Sequence, residues 1–566
     1  SYAVLKVRIA LVLGDAASQH PTSAGPEILH WRELLVCAAV EPPIRTERPT
    51  KIDMNQPQMT WTRITVLAAA LMLSRGLGAI TERSAVRAPQ GNEAKNVVAE
   101  STNDFGFDLY RRFARASNGG NLFFSPYSLS AALTMAATGA RGETAREMAT
   151  VLHLPEEGIG ATHAGHRQLK SLFDTDSADP EQRALVVKIR DLKAKIAPFG
   201  ARIRKLEKQR QWRDLQTASS QERQLVSELN QLLRKVKGHR LSVANALYCD
   251  KRYPLSRTYV NTLQSTYDTG AVAVADFRHN AAAAINSINA WVRERTEQRI
   301  DNLVGPDTID GQTRLVLLNA VHFQAEWLEP FLATGTQPRP FTQASGAKSD
   351  VQMMRHLFAG CRYGAFTATG KLFATPRMVT AVPGGATEQT YPERGFHVVE
   401  LPYRGGELSM VVFVPLDPAG LPALEAKLSS NQVDNWLDKL ARRRTTVSLP
   451  KFESEQSYDV ATSLKALGMR TAFDRNRADF SGMTSSKSPR DGFFLSGVVH
   501  KAFLSVDEKG TEATAATAIM MAPTSAAPGR KVPFVPHLNA NRPFVYMIRD
   551  MRSGTVLFLG RCVTPL

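Results

Sequence analysis

A run of small residues near the carboxyl end of the chain has the composition of a segment that could enter the middle of a β-sheet. It extends from Gly510 to Ala522 without a proline, so every amide in it can donate to a neighbouring strand. Side chains alternate between the faces of a strand, and the odd-numbered residues would therefore share one face. None of these residues is charged: Thr511, Ala513, Ala515, Thr517, Ile519 and Met521. A flexible Ala/Thr linker would explain the small residues, but not this separation of faces.

The residues around this run define where a strand could begin and end. A predicted strand, Val498–Asp507, comes directly before it. Gly510 is expected to supply backbone freedom at the start of the run. Pro523 lacks an amide hydrogen and cannot lie in a central strand, so it would end the run.

The chain has no residue pattern typical of an active site. His500 is not accompanied by the G-x-S-x-G motif of a serine hydrolase, and Gly158-Ile159-Gly160 is too short to be a phosphate-binding loop. The cysteines are few and widely separated, which is typical neither of a metal site nor of a dense disulfide framework: Cys37, Cys249, Cys361 and Cys562. We therefore expect no metal, no cofactor and no enzymatic activity.

Length and composition indicate a large, positively charged globular protein. The chain has 566 residues, 43% of them hydrophobic and 22% charged, and a formal net charge of +17. Such a charge favours polyanions or acidic surfaces as partners and says nothing about the fold.

The amino-terminal region resembles a secretory signal that follows an unrelated stretch. Residues 1–53 lack periodicity, and we expect them to be disordered or not part of the true protein, which would begin at Met54 or Met59. A signal peptide at 54–82 is predicted by its positive start, by the apolar run 64–73 and by the small residues that follow. The protein is therefore expected to be secreted, to the extracellular space or the periplasm. A short buried helix is the alternative, since the apolar run is too short for a membrane anchor.

Helices and strands alternate along the rest of the chain without a βαβ rhythm, which predicts an α+β domain. Thr144 and Glu147 have the spacing of a capping box at the start of a helix. The nearly unbroken apolar run 315–323 predicts a strand of a sheet that is covered on both faces.

Two stretches differ from their surroundings and are predicted to be insertions in this domain. In 176–238, Lys and Arg outnumber Asp and Glu by roughly two to one, and a heptad pattern predicts a helical hairpin broken near Pro198, with a polar loop at 217–220. The stretch 367–391 is rich in Gly, Thr and Pro and is predicted to be a long surface loop.

Several ordered pieces of the chain resemble the serpin family of protease inhibitors. The hinge-like run from Glu508 to Ala516 carries the resemblance most strongly. The other matching pieces are 121–128, 319–327, 449–452, 467–469, 478–483, 540–544 and 559–561. The resemblance implies a serpin domain over 98–566, with a large mixed or antiparallel sheet, surrounding helices and an exposed reactive centre loop.

The resemblance also implies roles for individual residues. The hinge of the loop would comprise Glu508, Gly510, Thr511, Ala513, Ala515 and Ala516. A cluster beneath the opening of the sheet would comprise Ser125, Ser128, Asn319 and His500, and the region where the loop enters the sheet would comprise Trp327, Lys451 and Glu508. The family's loop length, counted from Glu508, places the reactive bond at Thr524–Ser525.

The function implied is inhibition of serine endopeptidases by a monomeric, non-membrane protein whose cut loop inserts into its own sheet. A small uncharged residue such as Thr524 favours an elastase-like or subtilisin-like target, whereas a shifted frame at Met520 or Met521 would favour a chymotrypsin-like one. The alternative is a non-inhibitory serpin that acts as a binding, carrier or chaperone module.

Some members of the family bind sulfated polysaccharides near the position of the 176–238 stretch. Polyanion binding, to a heparin-like chain or a nucleic acid, is therefore possible through four basic residues: Arg202, Arg204, Lys205 and Lys208. The alternative is that these residues form the solvated face of a coiled coil.

Overall fold

The computed structural model describes residues 91–565, except for 157, 174–179, 197, 234, 236–237, 268–271, 383–384, 387–388, 485–491 and 512–530. The predicted stretch 1–53 and the predicted signal peptide at 54–82 lie outside the described residues, as does most of the loop after Thr511. Among the described helices, none has the length and apolar character needed to cross a bilayer.

Most of the helices lie in the first half of the described chain. Helix α2 illustrates how local sequence starts one of them: Pro126 occupies its first turn, and the Ser125 side chain accepts a hydrogen bond from the Ser128 amide. The helices are α1 (Gly91–Ala116), α2 (Pro126–Gly139), α3 (Gly142–Val151), α4 (Ile159–Phe173), α5 (Pro180–Ile196), α6 (Phe199–Lys208), α7 (Trp212–Leu233), α8 (Arg257–Tyr267), α9 (Phe277–Arg295), α10 (Leu421–Glu425), α11 (Ser430–Asp438) and α12 (Ala461–Leu467).

Strands dominate the second half. They are β1 (Leu122–Phe124), β2 (His239–Asp250), β3 (Val272–Ala275), β4 (Leu315–Glu326), β5 (Gln337–Thr342), β6 (Lys348–Thr367), β7 (Leu372–Phe373), β8 (Met378–Val382), β9 (Gly385–Ala386), β10 (Gly395–Pro402), β11 (Leu408–Pro415), β12 (Ala441–Pro450), β13 (Phe452–Asp459), β14 (Leu495–Val506), β15 (Gly510–Thr511), β16 (Lys531–Pro533), β17 (His537–Asn539), β18 (Phe544–Asp550) and β19 (Val556–Cys562).

The strands form three sheets. A six-stranded sheet has the order β13-β14-β15-β4-β2-β3, and β14 also pairs directly with β4. A ten-stranded sheet has the order β1-β19-β18-β11-β10-β6-β12-β17, with β5 and β7 attached to β6, and a small sheet has the order β16-β8-β9. The β14–β4 and β2–β3 pairings are parallel, so the six-stranded sheet is mixed.

The six-stranded sheet is covered on both faces, as the apolar run 315–323 predicts. On one face, Val316 and Leu318 of β4 pack against Ile288 of α9. On the other face, Leu315 and Leu317 belong to a second core that is shared with the helices. Because both sets of alternating side chains are removed from water, the strand has no polar face.

Helices α5, α6 and α7 lie within the stretch 176–238. Ile189 of α5 packs with Leu229 and Leu232 of α7, and this small cluster also contains Leu328, just after β4. The prediction of a polar loop at 217–220 is wrong, because helix α7 runs through these residues and the Ala218 side chain is fully buried. Packing against neighbouring elements overrides the local preference of Thr and Ser for turns.

Two further predictions differ from the structure. The Thr144–Glu147 pair is not a capping box, because helix α3 begins at Gly142 without a side-chain cap. Instead, Thr144 accepts a hydrogen bond from the Asp479 amide, and Glu147 accepts bonds from the amides of Arg470 and Thr471. The stretch 367–391, predicted to be a surface loop, contains the short strands β7, β8 and β9.

Candidate functional site

The start of the predicted loop lies between two strands of the six-stranded sheet. Gly510 and Thr511 form β15, with Gly510 opposite Glu326 and Thr511 opposite both Ala325 and Val506. Further along the sheet, β4 and β14 pair directly with each other, from Leu315 as far as His322. The two strands are therefore parted at one end and closed along the rest of their length.

Gly510 is required here by space. A Cβ atom on this residue would lie 2.0 Å from the carbonyl oxygen of Ala325, so no side chain fits without moving the backbone of β4. Gly510 is not among the glycines with a positive φ. The structure therefore gives a steric reason for glycine at this position, and the backbone freedom expected of it stays a prediction.

Thr511 establishes which face of β15 points into the protein. Its side chain is fully buried, and its hydroxyl is 2.9 Å from that of Tyr403. The Tyr403 ring in turn stacks on Trp327, with the ring centres 4.6 Å apart. The inward position of Thr511 is thus occupied by a small, uncharged and hydrogen-bonded side chain.

A tight turn at Asp507 connects β14 to β15. The Asp507 carboxylate accepts hydrogen bonds from the amides of Lys509 (2.8 Å) and Gly510 (3.1 Å). Trp327 also holds this turn. Its indole nitrogen donates a hydrogen bond to the Asp507 carbonyl (3.0 Å), and its backbone amide donates one to the Lys509 carbonyl (2.9 Å). Sequence analysis missed Asp507, although an aspartate three residues before a glycine is a turn signal.

Glu508 projects from this turn and forms an ion pair with Lys451, whose Nζ atom is 3.1 Å away. The Thr336 hydroxyl also donates to Glu508 (2.7 Å). Burial by itself would raise the pKa of Glu508, but the hydrogen bonds from Thr336, from its own amide and from Lys451 lower it below its ordinary value. Glu508 is therefore held as a carboxylate beside the opening.

A side-chain hydrogen bond joins β4 and β14 where the two strands pair directly, and we call this stretch of direct pairing the seam. Asn319 of β4 and His500 of β14 lie opposite each other, and the Asn319 side-chain oxygen contacts His500 Nδ1. The other ring nitrogen, Nε2, accepts a hydrogen bond from the Ser125 amide (3.1 Å), so the ring proton is on Nδ1 and is donated to Asn319. Complete burial lowers the pKa of His500 to about 3, which keeps the ring neutral.

The serines below this seam are structural. The Ser125 hydroxyl donates to the Leu557 carbonyl (2.6 Å) and accepts from the Ser128 amide (3.1 Å). The Asn319 amide donates to the Ser128 hydroxyl and to the side-chain oxygen of Asn245, a residue that sequence analysis missed. Because Ser125 is buried and its hydroxyl is already committed, it is not placed to attack a substrate.

The family model described as "Serpin (serine protease inhibitor)" matches residues 100–565. The chain belongs to the serpin family. Serpin B3 of Homo sapiens is 30% identical over 475 residues, which is 83% of this chain and all of that relative. Serpin B10 of Papio anubis is 29% identical over 474 residues, again 83% of this chain and all of the relative.

Solved serpin structures share the fold at lower sequence identity. Uncleaved ovalbumin is 21% identical, with a TM-score of 0.59 over 83% of this chain and 100% of its own. Native protease nexin-1 with heparin is 24% identical, with a TM-score of 0.59 over 83% and 99% of the two chains. Human thyroxine-binding globulin with its hormone is 24% identical, with a TM-score of 0.61 over the same shares. At these identities the likeness concerns the α+β serpin fold alone.

The structure of this serpin brings two of the three predicted groups together. The seam cluster, Ser125, Ser128, Asn319 and His500, is contiguous, and Trp327, Lys451 and Glu508 surround the turn at Asp507. Of the hinge, Glu508, Gly510 and Thr511 are described. Ala513, Ala515, Ala516 and the bond Thr524–Ser525 lie outside the described residues, and their roles stay predictions.

The described part of this serpin contains no group of three or more His, Cys, Asp or Glu side chains arranged to hold a metal ion. Cys249, Cys361 and Cys562 are buried free thiols whose pKa values are raised, chiefly by burial, while Cys37 lies outside the described residues. Burial keeps these thiols protonated and unreactive at neutral pH.

Proposed function

We propose that this serpin inhibits serine endopeptidases by trapping them as a covalent ester with its own reactive loop. The serine of the protease adds to the carbonyl carbon of Thr524, the peptide bond breaks, and Ser525 leaves as a free amine. The arm that ends at Thr524 then enters the six-stranded sheet with the protease attached, before water can hydrolyse the ester, in the manner general for loop insertion in this family. The observation that carries the proposal is the position of Gly510 and Thr511 between β4 and β14.

The register of β15 predicts how far the cut arm can enter. Gly510 is opposite Glu326 and Thr511 is opposite Ala325, so each further residue of the arm would lie opposite the preceding residue of β4. Continued in this way, Met521 reaches Leu315, the first residue of β4. Pro523, which cannot pair in a central strand, falls just beyond the end of β4.

The same register requires an uncharged inward face. Thr511 points into the protein, so the odd-numbered residues that follow it would do so as well. Burying an unpaired charge in a sheet is costly, and these positions carry none: Ala513, Ala515, Thr517, Ile519 and Met521. Glu512 would point to the opposite face.

Insertion must also separate Asn319 from His500, because the arm passes between their strands. This bond opposes insertion in the uncut protein. Insertion also breaks the backbone ladder between β4 and β14, but the arm then pairs with both strands. After cleavage, a net gain of roughly ten backbone hydrogen bonds at about 1 kcal/mol each would exceed the loss of the side-chain bond.

The test is to mix the purified protein with an elastase, with subtilisin and with trypsin. A complex that survives SDS should form with elastase or subtilisin and be absent with trypsin, since a shallow apolar pocket accepts Thr524 and an acidic pocket does not. The variant Thr524→Arg should exchange this preference in favour of trypsin. Complexes with chymotrypsin alone would move the reactive bond to Met520 or Met521.

A second measurement separates an inhibitor from a binding or carrier module. Nicking the loop should raise the melting temperature by roughly 10 °C if the arm inserts, given about 10 kcal/mol of net new hydrogen bonding and an unfolding entropy of about 1 kcal/mol per K for a domain of this size. Cleavage with full recovery of protease activity and no rise in melting temperature would favour the non-inhibitory alternative.

We also propose that α6 binds a polyanion. Arg202, Lys205 and Lys208 of this helix are exposed to solvent. Retention on a heparin column should fall in Arg202→Ser/Lys205→Ser/Lys208→Ser, and elution should shift to lower salt. A control with Lys348→Ser, another exposed basic residue, should elute like the unmodified protein. Unchanged elution of the triple variant would leave α6 as a solvated face.

Secretion is part of the same proposal and rests on the pattern at 54–82. Fusing these residues to a reporter enzyme should export it, and deleting the apolar run 64–73 should keep it inside the cell. Retention of both fusions would remove this part of the proposal.

A further inference from the structure

The segment that follows the reactive loop is paired with the 367–391 stretch. Strand β16 runs antiparallel to β8, with Lys531 opposite Thr380, Val532 opposite Val379 and Pro533 opposite Met378. Strand β9 then pairs with the other edge of β8. The carboxyl-terminal end of the loop is therefore an edge strand of a small sheet whose other strands come from this stretch.

Contacts beyond β16 continue the attachment. The Phe534 amide donates to the Arg377 carbonyl (2.9 Å). Arg443 of β12 donates through one nitrogen to the carbonyls of Pro376 and Phe534, at 3.1 Å each. Its guanidinium carbon lies 5.8 Å from the centre of the Phe534 ring, and the centres of the Phe534 and Tyr391 rings are 5.7 Å apart. One arginine thus joins both partners to the ten-stranded sheet.

We propose that residues 376–382 clamp the reactive loop and position its reactive bond for the protease. Without β16, the chain after β15 would next be held at Phe534, whose carbonyl accepts a hydrogen bond from Arg443. The clamp moves this point to Lys531 and removes residues 531–533 from the free span. Closure entropy changes only with the logarithm of loop length, so the effect is on the placement of the bait and little on stability. The inference rests on the proposed inhibitory function.

The clamp is compatible with trapping because it holds the carboxyl-terminal fragment, which does not enter the sheet. Cleavage at Thr524–Ser525 releases the arm on the amino-terminal side, whereas β16 remains on the carboxyl-terminal fragment with β17, β18 and β19. Locking β16 to β8 should therefore leave insertion intact.

The hydrogen-bonding pattern offers a matched pair of proline variants. Phe534 donates to Arg377, and residues alternate along an antiparallel ladder, so the Val532 amide points towards β8 and the Lys531 amide points away from it. Val532→Pro removes a ladder hydrogen bond, whereas Lys531→Pro removes none. Both changes add one proline at nearly the same distance from the reactive bond.

The rate of complex formation with elastase should fall about tenfold or more in Val532→Pro and stay close to that of the unmodified protein in Lys531→Pro. The rise in melting temperature after nicking should be the same in all three proteins, because the arm is unchanged. Equal association rates for Val532→Pro and Lys531→Pro would overturn the clamp, as would loss of the melting-temperature rise in Val532→Pro alone.

A cross-link tests the pairing even if the protein proves not to be an inhibitor. Thr380 and Lys531 are directly opposite in a non-hydrogen-bonded pair, where Cα atoms lie about 4.5 Å apart and a disulfide is feasible. Thr380→Cys/Lys531→Cys should oxidise readily and keep the association rate of its reduced form. Failure to form the bond would refute the clamp whatever the protease results are, and Thr380→Ser/Lys531→Ser controls for the lost side chains.

Discussion

At its amino-terminal end the reactive loop enters the six-stranded sheet through β15, whereas at its carboxyl-terminal end β16 pairs with the small sheet β16-β8-β9. The first attachment can be extended, because β4 and β14 continue beyond Thr511 and each further residue of the arm would find a partner. The second cannot, since β8 is short and Arg443 already holds the chain at Phe534. Under the proposed function, the amino-terminal attachment lengthens after cleavage, whereas the carboxyl-terminal attachment keeps its length.

The largest expected effect on protease trapping follows from a change in β15, where the amino-terminal end of the loop is attached. Thr511→Glu would place a charge at a fully buried position beside Tyr403, so the arm should no longer enter the sheet. We expect SDS-stable complex with elastase to fall by about 100-fold or more while the loop is still cleaved, because each kcal/mol lost from insertion changes its balance with hydrolysis about fivefold.

The matched control is Glu512→Lys, which changes the charge on the opposite face and should behave like the unmodified protein. If Thr511→Glu traps elastase as well as Glu512→Lys does, the loop does not act by insertion between β4 and β14.

The next effect concerns the bond that keeps the seam closed. Asn319→Leu retains much of the side-chain volume but leaves the Nδ1–H group of His500 without a partner in the interior, whereas the Ser128 hydroxyl keeps its hydrogen bond to Asn245. The uncut protein should lose about 1–3 kcal/mol for this orphaned group. The nicked protein should lose less, because its seam is already open.

Chemical denaturation of the uncut and nicked forms measures this difference. Ser505→Ala, which removes an exposed hydrogen bond to Glu453, should change both forms by less than about 0.5 kcal/mol. Equal losses in the two forms of Asn319→Leu would mean that the bond does not distinguish them.

Acid should destabilise the folded domain as a whole. Burial lowers the pKa values of His166 and His500 to about 3, and of His163, His397 and His537 to about 4. Below pH 6.5 these side chains take up protons in the unfolded chain but not in the folded one, so stability is complete above pH 6.5 and falls as the pH drops towards 4. Melting temperatures between pH 7.5 and 4.5 should decrease steadily. A flat or rising profile would contradict the neutral state assigned to these rings.

The smallest effect is expected for the ion pair at the turn. The Lys451 side chain is 41% exposed, and its pair with Glu508 should contribute no more than about 1 kcal/mol. Lys451→Met should therefore lower the stability of the uncut protein by less than that, as measured by denaturation. A loss above about 2 kcal/mol would give this pair a larger part in holding the hinge.

Features carried by local pattern were predictable. The apolar run 315–323 identified a doubly covered strand, and the family resemblance identified the residues that meet at the seam and at the turn. Patterns that depend on a distant partner were misread. Thr144 and Glu147 have capping spacing but bond to chain more than 300 residues away, because the amides of residues 470–479 are nearer in the fold.

The similarity of the sequence to the serpin family identified the chain as an α+β serpin, and the sequence by itself determined that its hinge is small, uncharged on one face and free of proline. These hinge properties follow from composition and spacing, which no tertiary contact can change. Only the tertiary structure decided that Gly510 is needed for space against Ala325, that Trp327 holds the turn at Asp507, and that β16 pairs with β8. Each of these depends on atoms far apart in the chain, whose meeting is set by the packing of the whole domain.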